Sequence, residues 1–194
     1  MTQRLIALFL LILSIPFWLV FYVFIKLDSK GPFIFKQKRM GKSKTTFTMY
    51  KFRTMVKNAE SLKKKYLKLN QANGPVFKIK NDPRYTKFGR VLSYTGLDEL
   101  PQLLNIIKGE MAFVGPRPLP VEEAKKIPKK YEQRFSVLPG ATSTWVLKGQ
   151  HELSFNKWME LDLNYIKNKS GIYDLKISLG TALLILKLIW KKFT

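Results

Sequence analysis

Acidic residues are scarce in this chain, and two of them are adjacent: Asp98-Glu99, within Thr95-Gly96-Leu97-Asp98-Glu99-Leu100-Pro101-Gln102-Leu103. Thirteen Asp and Glu stand against 35 Lys and Arg, a net charge of +22. A carboxylate in such a field keeps its charge and can serve as a nucleophile or a Mg²⁺ ligand. Adjacent carboxylates at a helix start more often just complement the helix dipole, at roughly half a kcal/mol. The scarcity of acid and the cations around the pair favour chemistry. Gly115-Pro116-Arg117-Pro118 is the second candidate. Prolines on both sides restrict the backbone, so the guanidinium is held in a set direction, which suits bidentate phosphate binding. The plainer alternative is a tight turn with a solvated arginine. Lys51 and Arg53 alternate in Tyr50-Lys51-Phe52-Arg53-Thr54-Met55. On a strand both cations would face one side and the aromatics the other.

Other chemistry is excluded. There is no cysteine, so disulfides, thiolate zinc sites and a Cys nucleophile are out. His151 is the only histidine, so a multi-His metal site is impossible. Gly-rich loops of the G-x-G-x-x-G or Walker type are absent, which argues against a nucleotide site of the Rossmann kind. The charge calls for an anionic partner: nucleic acid, lipid headgroups or a phosphorylated substrate. Charge alone does not choose among them.

The elements that must position these residues are partly legible. Residues 32–36 and 46–52 alternate and are rich in aromatics, so they read as a hairpin around Gly41-Lys42-Ser43-Lys44. Residues 54–70 carry helix formers and a charged face, and Gly74-Pro75 and Asp82-Pro83 mark loops. A short helix fits 86–94. Thr95, three residues before Asp98, resembles a capping box, Pro101 fits a first turn and Gly109 a helix stop. That puts Asp98 and Glu99 at a helix N-terminus. Met111 to Val114 reads as a short strand, and helices are expected over 120–133 and 154–167. Leu175 to Phe193 is apolar but interrupted by lysines, and reads as an interfacial helix; an ordinary core helix with a basic end is the alternative.

Leu5 to Ile25 is almost wholly apolar, and a helix of that length rises about 30 Å, the thickness of a bilayer core. The run ends in Lys26-Leu27-Asp28, unlike a signal-peptide cleavage site. Lys26, Lys30, Lys36, Lys38 and Arg39 crowd the C-terminal side against Arg4 on the other, which puts the residues after 26 in the cytoplasm. Pro16 sits mid-segment, and physics leaves a kinked span and a re-entrant hairpin both open.

Together these blocks resemble one family, the bacterial sugar transferases, also called monotopic phosphoglycosyl transferases, over roughly residues 10 to 190. The resemblance is carried by Lys26 to Pro32, Phe35 to Lys42, Tyr50 to Met55, Leu97 to Leu103, Lys108 to Met111 and Val114 to Pro118. It implies an α+β, mostly helical protein: a re-entrant membrane helix over 1–28 turned at Pro16, and a catalytic body over 29–194 with a small β-hairpin and amphipathic interfacial helices. That body would lie on the cytoplasmic face of a bacterial membrane. Asp98 would attack the β-phosphorus of a UDP-sugar, UMP would leave, and undecaprenyl phosphate would take the sugar phosphate. Glu99 would hold Mg²⁺, Lys51 and Arg117 would hold phosphate, and Asp162 would support the metal or orient a cation. Arg53 is a weaker member. The implied partners are the UDP-sugar, the polyprenyl phosphate and membrane lipids, with no nucleic acid; a homodimer is compatible with the sequence and not required by it. The sequence departs from the family at Ile15, Ser93, Pro139 to Trp145 and Gly149-Gln150-His151. The competing interpretation is a membrane-anchored basic binding or scaffold protein without catalysis.

Overall fold

An apolar run without a charge between Arg4 and Lys26 makes the first helix of this computed structural model, which describes residues 1–148 and 153–193. Helix α1 covers Thr2–Asp28 with Pro16 inside it, and it is long and apolar enough to cross a membrane, at mean hydropathy 2.6. Pro16 has no N–H to give the Ile12 carbonyl. Beside it the Ser14 hydroxyl donates to the Leu11 carbonyl (2.7 Å) and accepts from Trp18 Nε1 (3.0 Å). Both ends of α1 rest on the same body. Ala7 packs among Phe47, Met49, Leu103, Ile106 and Met111, while Phe21 and Ile25 pack on Phe52 and Leu92. The rest of the helix leaves its large apolar side chains exposed, Phe9, Leu13 and Leu19 among them.

The hairpin pairs β1 (Ile34–Met40) with β2 (Thr46–Phe52) antiparallel, from Ile34 opposite Phe52 to Met40 opposite Thr46. Strand β1 runs further than the expected 32–36, because exposed Lys36 and Lys38 are the solvent side of its alternation. Residues 54–70 hold only α2 (Ala59–Leu62) and a 3-10 turn (Leu67–Leu69), not a continuous helix. Long-range ties shape this segment: Arg84 Nη1 donates to the Ala59 carbonyl, and Lys63 pairs with Glu123, both at 3.0 Å. Arg84 is itself clamped on buried Asp82.

Helix α3 (Lys87–Thr95) starts at Thr86, whose hydroxyl accepts from Gly89 N. Asp28 Oδ2 also accepts from Phe88 N at 2.7 Å, tying the end of α1 to the start of α3. A Cβ on Gly89 would lie 2.1 Å from the Thr54 carbonyl oxygen, so α3 sits directly on the chain leaving β2. Thr95 does not cap the segment after it. Its hydroxyl donates back to the Val91 and Leu92 carbonyls, and Gly96 at φ +76° ends α3 instead. A 3-10 segment over Leu97–Gln102 then leads into α4 (Leu103–Lys108), which Gly109 stops at φ +79°.

The remaining elements are β3 (Ala112–Val114), α5 (Val121–Ala124), a 3-10 run over Lys129–Ser136, β4 (Gly140–Thr142), α6 (Thr144–Leu147), α7 (Phe155–Asn168) and α8 (Gly171–Phe193). Strand β4 pairs parallel with β3 and was not foreseen. The helix expected over 120–133 is cut by Pro128 into α5 and the 3-10 run. The largest core cluster includes Met40, Leu119, Tyr131, Trp145, Trp158 and Met159. Helix α8 buries Ile177 on Val114 and Tyr165, yet Ile172, Leu175, Leu179, Leu183, Leu186 and Trp190 form an exposed stripe. An ordinary core helix would bury that stripe. The architecture is α+β and mostly helical, with a small hairpin and a long apolar N-terminal helix.

Candidate active site

Asp98 and Glu99 lie in the 3-10 segment, not in an α-helical first turn. What places them is Asn105 on α4, fully buried. Its amide donates to the Thr48 carbonyl (2.7 Å) and Glu110 Oε2 (2.6 Å), and its Oδ1 accepts from Tyr50 N (3.2 Å). This staple fixes the 3-10 segment and α4 against β2, and so brings Lys51 to the acidic pair. Lys51 Nζ donates to Glu99 Oε1 at 2.5 Å and stands 3.5 Å from Asp98 Oδ2. Arg117 Nη2 approaches the same Glu99 oxygen at 3.3 Å. Four of the residues singled out from the sequence therefore form one cluster, with the Asp98 side chain 7% exposed.

Burial pushes the Asp98 pKa up, to about 6; Lys51 opposes the rise and Glu99 adds to it. Burial disfavours the Glu99 carboxylate too, but Lys51 and Arg117 outweigh it and hold Glu99 at about 2. Glu99 is the anchored anion, while Asp98 shares its cation less closely. An electron pair on Asp98 is thus available to an electrophile drawn in by Lys51 and Arg117.

Asp162 lies behind this cluster. On α7 it accepts two bonds through Oδ2 from Arg134, from Nε at 3.1 Å and Nη2 at 2.9 Å. Arg134 Nη2 also donates to the Arg117 carbonyl at 2.8 Å. The pair is almost wholly buried. Burial raises the Asp162 pKa and Arg134 opposes without cancelling it. Asp162 thus orients a cation, and that cation grips the backbone of Arg117. Arg53 is not brought to the pair. Its guanidinium donates to the carbonyls of Ile25, Ser29 and Pro32, closing the end of α1. Gln150 and His151 lie outside the described residues.

Three cations near the cluster were not singled out. Arg134 is one. Arg39 donates to the Pro118 carbonyl (2.9 Å), next to Arg117; burial, then the Arg117 charge, pushes its pKa down to about 10. Lys78 is held down to about 8 by burial and then by Arg117. Arg39 stands inside the family-like block Phe35 to Lys42, which was the one signal available. Lys78 and Arg134 carry no local mark.

Among families of known proteins, the model described as bacterial sugar transferase matches residues 1–188. A galactosyl transferase of Streptococcus agalactiae is 41% identical over 157 residues, covering 80% of this chain and 35% of that protein. An undecaprenyl-phosphate galactose phosphotransferase of Salmonella typhimurium is 35% identical over 190 residues, 93% of this chain and 39% of that protein. An exopolysaccharide production protein of Sinorhizobium fredii is 36% identical over 181 residues, with 91% and 80% covered. The chain thus spans well under half of the first two relatives and most of the third.

Proposed function

The chain belongs to the bacterial sugar transferase family, and on that premise we propose that it transfers a hexose-1-phosphate from a UDP-sugar to a polyprenyl phosphate at a membrane. The observation that carries this is the buried Asp98 carboxylate set against Lys51, beside an anchored Glu99 and a backbone-held Arg117. In the first step an Asp98 oxygen attacks the β-phosphorus of the donor. The bond from that phosphorus to the bridging oxygen breaks, and UMP leaves with the electron pair. In the second step an oxygen of the polyprenyl phosphate attacks the same phosphorus, and the bond to Asp98 breaks, restoring the carboxylate. Lys51 and Arg117 hold phosphate charge in both steps, so one carboxylate serves two chemically different substrates. The Salmonella relative, an undecaprenyl-phosphate galactose phosphotransferase, supports a lipid-phosphate acceptor.

The donor set suits Mg²⁺. Neither Asp98 Oδ1 nor Glu99 Oε2 has a hydrogen-bond partner among the described residues. No three acidic or histidine side chains among those residues gather there to hold a metal by themselves. Mg²⁺ is commonly held by one or two carboxylates plus substrate phosphates, which is what this pair offers, with Glu99 the holder. When bound it neutralises the diphosphate.

The exposed apolar surfaces of α1 and α8 support membrane association. The packing of both ends of α1 on one body, with Pro16 between them, supports a re-entrant helix, and the lysines after residue 26 support a body on the cytoplasmic face. The test is UMP release in lipid nanodiscs with a panel of UDP-sugars, Mg²⁺ and undecaprenyl phosphate, alongside intact-protein mass without the acceptor. A sugar-phosphate adduct on the wild type, absent in Asp98→Asn and with EDTA, is the expected result. UMP release at the wild-type rate from Asp98→Asn would overturn the reading.

A further inference from the structure

A cavity of about 170 Å³ lies between the loop over residues 70–80 and α7, walled by Gln71, Val76, Lys78, Lys80, Phe155 and Trp158. None of the roles above uses it. It is smaller than the roughly 300 Å³ of the smallest ordinary ligand pockets, so it takes one end of a ligand and not the whole. Its walls combine aromatic carbon with an amide. Gln71 Oε1 accepts from Lys80 N at 2.7 Å, while its Nε2 makes no hydrogen bond among the described residues. Aromatic rings and a free amide suit a planar heterocycle bearing carbonyl oxygens.

The cavity is joined to the acidic cluster by a short series of contacts. Arg117, which touches Glu99, lies over the Trp145 ring at 5.4 Å. Trp145 stacks on Trp158 with centroids 4.9 Å apart and planes at 26°. Lys78 lies over Trp158 at 5.0 Å. Burial, and then the nearby Arg117 charge, work against the Lys78 ammonium. A phosphate beside both cations would favour the charged form of Lys78. The order is carboxylate nucleophile, Arg117, Lys78, aromatic cavity. A nucleoside diphosphate sugar has the matching order: the attacked phosphorus, the phosphate that leaves, and a flat base at the end.

We infer that this cavity is the nucleoside subsite of the donor, with the base between Gln71, Phe155 and Trp158 and the leaving phosphate held by Lys78 and Arg117. The assignment rests on the transferase reading above. The experiment is calorimetric titration with UMP, uridine and inorganic phosphate of the full-length protein, Gln71→Ala, Lys78→Met and Lys78→Arg, each checked by its melting curve. Steady-state KM values for the UDP-sugar and for undecaprenyl phosphate are measured beside it. Lys78→Met is expected to weaken UMP at least tenfold while sparing uridine, and Gln71→Ala to weaken both. The donor KM rises by similar factors, the lipid KM does not move, and Lys78→Arg recovers most of the loss. An active wild type whose donor KM ignores both positions overturns the subsite and leaves the transferase standing. A change confined to the lipid KM also overturns it, and assigns the cavity to the acceptor phosphate. UMP binding that depends on Lys78 and Gln71 in a protein that forms no adduct keeps the subsite and removes the transferase.

Discussion

Replacing Arg134 and Asp162, singly and together, separates what the buried pair does for stability from what it does for Arg117. Removing one partner leaves a charge stranded in an interior where both side chains are at most 3% exposed. Such losses cost about 3–5 kcal/mol. In a chain of 194 residues, at about 2–4 °C per kcal/mol, Tm should fall by roughly 6–20 °C in Arg134→Met or in Asp162→Leu. The double variant removes both charges, and also removes the Asp162 Oδ1 that is buried without a partner among the described residues. Apolar replacements of whole buried pairs are often neutral or better, so most of the lost Tm should return. Activity should not return. The Arg117 carbonyl has lost a charged donor that stood at 2.8 Å, a bond of about 1.5–3 kcal/mol. If that difference is felt fully in the transition state, kcat/KM falls roughly 10- to 100-fold. The assay is UMP release with thermal melts on the same four proteins. A double variant that is stable and fully active would refute the claim that Arg134 positions Arg117. A single variant that melts like the wild type would refute the energetic reading of the pair.

Lys51→Met leaves Asp98 and Glu99 facing each other without the cation at 2.5 Å, and kcat/KM should drop at least 10-fold in the UMP-release assay. Lys78 carries its charge below about pH 8, so the donor KM should rise as pH climbs through that value, and Lys78→Arg should flatten the profile. Asp82→Ala strands Arg84 and should lower stability by about 3–5 kcal/mol at neutral pH, read by denaturant unfolding. Burial works against the Asp82 carboxylate, but the Arg84 hydrogen bonds outweigh it and hold its pKa below 3.8. Its contribution is therefore present above that unfolded value and is lost as pH falls through the lower folded one, so the variant's acid limb should be flatter. Gly89→Ala sets a Cβ 2.1 Å from the Thr54 carbonyl oxygen, and overpacking of this kind should cost about 1–3 kcal/mol in the same measurement.

Residue type carried much of the candidate site, and local pattern carried less of the fold. Asp98, Glu99, Lys51 and Arg117 could be picked out because scarce acid and a proline-bounded arginine are visible without a structure. Local pattern did not sort Arg53 from Lys51, since both look like cations on one strand, and only the family resemblance ranked Arg53 lower. Strand β2 ends at Phe52, and Arg53 stands just beyond it, where its side chain grips the end of α1. Thr95 has the spacing of a cap, but Gly96 enters the left-handed region and turns that hydroxyl back onto α3. Residues 54–70 have helical composition, yet Arg84 and Glu123, distant in sequence, hold them as turns. Strand β4 has three residues, too few for any period to register. Arg134 and Lys78 owe their importance to what α7 and the tryptophan pair bring near them, which is tertiary information.

In the proposed membrane arrangement, the grip of Arg53 on the last turn of α1 makes the bilayer a mechanical part of the site. Arg53 is two residues from Lys51 on the same chain, and it holds the Ile25 carbonyl at 3.2 Å, while Asp28 holds the first amides of α3. A shift of α1 along the membrane normal is therefore passed through a few bonds to the lysine that faces Asp98. On that proposal, the depth at which the helix settles sets the height of the carboxylate above the lipid. Cutting away residues 1–28 would not release a soluble enzyme, because it would uncover Phe52 and Leu92 and take the Ile25 carbonyl from Arg53. Bilayer thickness then becomes a variable of the proposed catalysis, and a nanodisc series of increasing acyl length is a ruler against which it can be read.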